Sequence, residues 1–141
     1  MNIPEISERL TGKEYFVVGL LGGTAYSMLE IIWRGYTHWT MTLTGGVCLV
    51  LMCMSFERLR SRSLWLKCMC GSAIITGLEF TVGCIVNLGL GWNVWDYSDC
   101  PLNILGQICL PFSAIWFVLS IPMVYFSNRL HSHRLISCRN Q

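Results

Sequence analysis

The chain has 141 residues, 53% hydrophobic and 13% charged, with ten Lys and Arg against eight Asp and Glu for a formal net charge of +2. Ordinary globular domains carry about a quarter of their residues charged, so the composition excludes a soluble domain. No basic stripe interleaved with stacking aromatics lies outside the apolar runs, which excludes a nucleic-acid partner.

The first 14 residues form a charged segment with Arg9 and Lys13, expected in the cytoplasm. Four apolar spans follow, at about Tyr15–Trp33, Thr37–Phe56, Leu64–Leu90 and Pro101–Phe126. Roughly 20 helical residues cross a hydrocarbon layer of about 30 Å, and these runs are long enough. Residues 37–56, 80–95 and 100–128 contain no Asp, Glu, Lys or Arg. They do not alternate in polarity, which argues against a β-barrel. The first span is too long for a cleavable signal peptide and lacks a clear small-x-small exit.

Arg58, Arg60, Arg62 and Lys67 surround the loop between spans 2 and 3, and Arg129, Arg134 and Arg139 lie in a basic tail, residues 128–141. Arg34 alone lies at the other face, so both termini are expected to be cytoplasmic. Tryptophans and tyrosines at 33, 36, 39, 92, 95 and 97 then read as an interfacial belt on the outer side. Six of the eight cysteines, Cys48, Cys53, Cys68, Cys70, Cys84 and Cys109, fall within or beside spans as small apolar fillers. No C-x-x-C occurs, His131 and His133 have no ligand partner nearby, and no metal or cofactor is expected.

"GGTAYSMLE" (Gly22–Glu30) matches "GSAIITGLE" (Gly71–Glu79), and "TGGVCL" (Thr44–Leu49) matches "LGQICL" (Leu105–Leu110). The expected fold is therefore all-α: a polytopic membrane protein whose four transmembrane helices form two parallel two-helix repeats.

A charged group inside a membrane span is a functional candidate by default. Glu30 has Arg34 one turn later and pairs with it on one face. Glu79 has no such neighbour. Its face instead carries Ser72, Thr76, Gly83 and Asn87, a polar, small stripe suited to a helix contact or a cavity wall. Pro111 and Pro122 fall inside the expected fourth span and should kink it, freeing the Gln107 carbonyl, with Gln107 and Asn103 as candidate lining residues. Gly19, Gly23 and Ser27 give the first span a close-packing face, toward the other repeat or another subunit.

The stretches "LEIIWRGYTHWTMTLTGG" (Leu29–Gly46) and Thr76–Ser120 carry a dense motif, WDYS-x-x-P-x-N-x-x-G-Q-I-C, intact at Trp95–Ser98, Pro101, Asn103 and Gly106–Cys109. On these residues the chain resembles the small bacterial integral membrane proteins of the Putative ABC-transporter type IV family, or ABC-transporter permease family, over about residues 15–127. The resemblance implies a multi-pass protein of the bacterial cell membrane with a transport role, and assigns no substrate or catalytic residue.

The leading functional reading is a permease-like or channel-like protein for a small solute or ion. Glu79, Glu30, Arg34, Asn87, Asn103 and Gln107 would line a site between the repeats, and Trp95, Asp96 and Tyr97 would cap its external mouth. Two alternatives stand beside it: an accessory or hole-forming subunit, and a membrane enzyme acting on a lipid-linked substrate through Asp96, Asp99 or His38. No Ser-His-Asp or paired-carboxylate pattern supports the enzyme. The expected partners are membrane lipids and a second copy of the chain. Without a G-x-x-x-x-G-K-[ST] loop the chain does not itself hydrolyse ATP by that machinery, and any ATPase would be a separate subunit.

Overall fold

The structure, a computed structural model, describes residues 9–139, with side chains as far as residue 133. The N-terminal segment before Arg9 and the side chains of Arg134 and Arg139 lie outside the described residues. Four helices are long and apolar enough to cross a membrane. The chain is a multi-pass membrane protein.

Helix α1 spans Gly12–Arg34. Thr11 caps it reciprocally with Glu14, whose carboxylate accepts from the Thr11 N–H at 2.6 Å. It ends at Gly35, in the left-handed region at φ 82°, which a residue without Cβ adopts freely. Helix α2 spans Trp39–Arg58 behind a His38 cap, and α3 spans Leu64–Gly83 behind a Ser63 cap. A π-helical turn, Cys84–Gly89, continues α3. A short hairpin of β1 (Asn103–Ile104) and β2 (Ile108–Cys109) precedes α4, Leu110–Arg139.

The fourth helix thus starts nine residues after Pro101, a correction to the sequence expectation. Leu105 at φ 52° and Gly106 at φ 66° turn the chain back, and the Gln107 N–H donates to the Ile104 carbonyl at 3.0 Å. Pro111 then falls in the first turn of α4, where its missing N–H would have had no helical partner. It is no interior kink, and Gln107 is a turn residue. Pro122 does lie inside the helix, depriving the Val118 carbonyl of its bond. The same turn gives the matched stretches different structures, since Thr44–Leu49 is helix whereas Leu105–Cys109 is turn and strand and only Leu110 is helical. As far as Arg139 the basic tail continues α4 as helix.

Helix α2 is central, with 56% of its most apolar window buried against 22–28% for the other helices. Lipid tails are as apolar as leucine, so helix contacts depend on close packing and hydrogen bonds. Sequence places small residues accordingly. A Cβ on Gly22 would stand 2.6 Å from Leu49 Cβ and 2.7 Å from the Gly45 carbonyl. One turn on, Ser27 and Thr42 share a hydroxyl bond of 2.7 Å. The small face of α1 is therefore spent on α2 within the chain. Helix α3 meets α4 through the other small stripe, with Ser72 Oγ donating to the Ser113 carbonyl at 2.7 Å and Thr76 bonded to the Ser113 hydroxyl at 3.0 Å. Helix α1 reaches α4 mainly through rings, Tyr26 stacking on Trp116 with centroids 5.5 Å apart and Trp33 meeting Phe112 edge-on at 5.9 Å. Side chains rather than touching backbones bridge that gap, which leaves space between them.

Candidate functional site

The segment from Leu90 to Cys109 folds as a cap over one end of the bundle, and sequence dictates how. The π-helical turn places Asn87 inward, where it is 7% exposed. Its carbonyl oxygen accepts the Val94 N–H at 2.7 Å, and its amide donates to the Trp95 carbonyl at 3.1 Å and to Gln107 Oε1 at 2.8 Å. Trp95 returns the link, its indole N–H donating to the Gln107 carbonyl at 2.9 Å. Asn103 closes the hairpin, donating to the Ser98 and Cys100 carbonyls and accepting the Gly106 N–H at 3.1 Å. Asn87, Gln107 and Asn103 thus spend their amides on the cap itself. Gly83 is needed beneath it, for a Cβ there would lie 2.5 Å from Gln107 Oε1.

The aromatic belt divides in two. Trp33, Tyr36, Trp39 and Trp92 are exposed, as interface anchors should be, but Trp95 is buried and Tyr97 half-buried. Tyr97 stacks on Phe112 with centroids 4.6 Å apart. Burial, then the nearby Glu79 charge, pushes its phenol above the ordinary value, so it keeps its proton at neutral pH. Asp96 is exposed and takes both the N–H and the hydroxyl of Ser98, at 2.8 and 2.5 Å. Those bonds hold its carboxyl below the ordinary range.

Between α1, α4 and the cap lies a cavity of about 560 Å³. Seven aromatic rings stand on its wall, Tyr26, Trp33, Tyr36, Trp95, Tyr97, Phe112 and Trp116. Its charged lining residues are Glu30, Arg34 and Asp96. Glu30 and Arg34 form an ion pair at 2.5 Å. Glu30 also accepts the Thr37 hydroxyl at 2.6 Å. Arg34 donates to the Val94 carbonyl at 2.7 Å and lies 4.8 Å over the Tyr36 ring, so it ties α1 to the cap.

Glu79 is 2% exposed and sits behind this wall. Tyr26 Oη donates to its Oε1 at 2.5 Å and Trp116 Nε1 to its Oε2 at 3.0 Å. Neutral donors from α1 and α4 hold it, and no basic side chain pairs with it among the described residues. Each ring has its polar atom on the carboxyl and lines the cavity, the two stacking on each other. Sequence reasoning missed Tyr26 and Trp116. Tyr26 lies 53 positions from Glu79 and Trp116 37, and neither breaks the apolar pattern of its helix. Among the described residues no group of three His, Cys, Asp or Glu could hold a metal.

A helical membrane bundle with a polar-stitched cap over an aromatic cavity defines the class. The chain belongs to the family described as "Putative ABC-transporter type IV", whose sequence profile matches residues 15–141. Family membership and four apolar helices fit a membrane transport protein. No curated protein and no solved structure matches the chain.

Proposed function

We propose that this protein carries a small, partly apolar cation across the cell membrane through the cavity between α1 and α4. The observation that carries the reading is the wall itself, aromatic rings backed by a buried carboxylate. A cation over the face of Trp or Tyr gains roughly 0.5–2 kcal/mol, more when desolvated. The phenol and indole of Tyr26 and Trp116 donate to Glu79, which draws electron density into both rings and strengthens their attraction for positive charge. Arg34 is the one basic lining residue among the described residues, and Glu30, the Val94 carbonyl and the Tyr36 ring already meet its charge. Asp96 at the rim adds a further negative group.

Arg9, Lys13, Arg58, Arg60 and Arg62 lie at the end away from the cap, which supports a cap facing outward and cytoplasmic termini. Gly22 and Gly71, which stand at matching positions, both make close approaches, to Gly45 and to Ser120, a support for a relation between the first helices of the two hairpins. An ATP-driven mechanism would need a separate ATPase at the basic end.

Ethidium, a rigid aromatic cation, is the probe. Proteoliposomes holding the full chain should release it faster than protein-free liposomes, and Glu79→Gln should cut that excess at least tenfold while the helical circular-dichroism signal persists. An excess rate unchanged in the variant overturns the proposal.

A further inference from the structure

A second cavity, of about 250 Å³, lies at the end opposite the cap, where the C-terminal turn of α2, the loop after it, the first turns of α3 and the later part of α4 converge. Glu57, Arg60, Lys67, Asn128, His131 and Ser132 line it over the Phe56 ring. Two of these are buried polar groups left incomplete. Lys67 is 6% exposed, and its ammonium makes one hydrogen bond among the described residues, to the Arg60 carbonyl at 3.1 Å. An ammonium carries three donors, and buried lysines are ordinarily paired with a carboxylate. His131 is 7% exposed, and its Nε2 is buried with no hydrogen-bond partner among the described residues. Glu57, the wall's carboxylate, forms no ion pair with Lys67.

We infer that this cavity is an anion site that takes a phosphate group, with Lys67 and His131 Nε2 as its principal ligands. Among the described residues the lining carries the ammonium of Lys67 and the guanidinium of Arg60 beside the carboxylate of Glu57. Donors of three kinds, ammonium, imidazole and side-chain amide or hydroxyl, surround the space from α3 and α4, a pattern that suits a group with several acceptor oxygens rather than one. The volume exceeds the roughly 30 Å³ share of a single water. A phosphate there would complete the ammonium and satisfy the imidazole together. The position, at the basic end of a membrane bundle, admits two sources of the same chemistry: a phospholipid head group or free phosphate.

The test uses the full chain in dodecyl maltoside, a detergent without phosphate, with Lys67→Met and His131→Phe as variants. Inorganic phosphate is titrated while the thermal midpoint and the ring ¹⁵N resonances of the three histidines are followed. Separately, phosphatidylglycerol is added and its retention is read by native mass spectrometry. We expect at least one probe to bind tenfold or more tightly to the wild type than to either variant, and to shift the His131 ring signal in the wild type. Phosphate binding identifies a soluble anion, and binding of phosphatidylglycerol alone identifies a head-group site. Lys67→Met should be no less stable than the wild type in phosphate-free detergent, since it removes a buried charge that has no carboxylate partner among the described residues. Binding of neither probe, binding undiminished in both variants, or a His131 signal that neither probe moves overturns the inference.

Discussion

Glu30 and Glu79 occupy equivalent places in two matching stretches of sequence, yet the structure solves the problem of each carboxylate differently. Glu30 faces the cavity and has a full positive charge one turn away on its own helix. Glu79 is withdrawn from the cavity and held by a phenol from α1 and an indole from α4. A local pair such as Glu30–Arg34 is fixed within one helix. A carboxylate shared between two helices instead makes their spacing depend on its own state, and a bound cation or proton can alter that state. On the proposed reading, this contrast assigns the functional weight to Glu79 and the structural weight to Glu30.

The comparison breaks most readily at Arg34. The pair is half-buried, and removing one member leaves the other uncompensated at a cost of about 3 kcal/mol, the low end of the range for buried pairs. Arg34→Met should therefore lower stability in mixed-micelle denaturation by that amount, and adding Glu30→Gln should restore most of it. No recovery in the double variant would show that Arg34 acts through the Val94 carbonyl and the cap rather than through Glu30. Tyr26→Phe comes next, leaving Glu79 Oε1 without its donor at a cost of about 2 kcal/mol. It should also reduce cation binding, followed by tryptophan fluorescence with tetraphenylphosphonium, whereas the double variant at 30 and 34 should bind as well as the wild type relative to its folded fraction. Equal binding losses in both would erase the distinction between the carboxylates.

Much of this was legible in the sequence, for identifiable reasons. Span number, the Glu30–Arg34 pair and the close α1 face depend on neighbours within a few residues, so spacing alone reveals them. The fourth helix start was not legible, because Pro101 is a good first-turn residue and nothing local announces that Leu105 and Gly106 adopt positive φ. Asn87 and Gln107 stood out as polar groups at membrane depth. Their bonds to Val94, Trp95 and each other are set by the fold of the cap, and spacing carries no record of them. Lys67 read as one more topology charge, since its burial depends on α4 packing beside the loop.

Asp96 supplies a third carboxylate and the smallest expected effect. It lies outside the four membrane-length helices and is exposed, and two bonds from Ser98 keep its carboxyl below the ordinary range. A carboxyl with a lowered folded-state pKa stabilises the fold fully above its unfolded value, and that contribution fades as the pH falls from the ordinary carboxylate range through the folded value. At neutral pH Asp96→Asn should therefore change global stability little, while below the carboxylate range wild type and variant should converge. The readout is local: Tyr97 and Trp95 flank Asp96, so its protonation should loosen the turn and alter Trp95 emission in the wild type but not in Asp96→Asn. If emission changes identically in both on acidification, the responsive group lies elsewhere, and Glu79, which contacts Trp116, becomes the next carboxylate to replace.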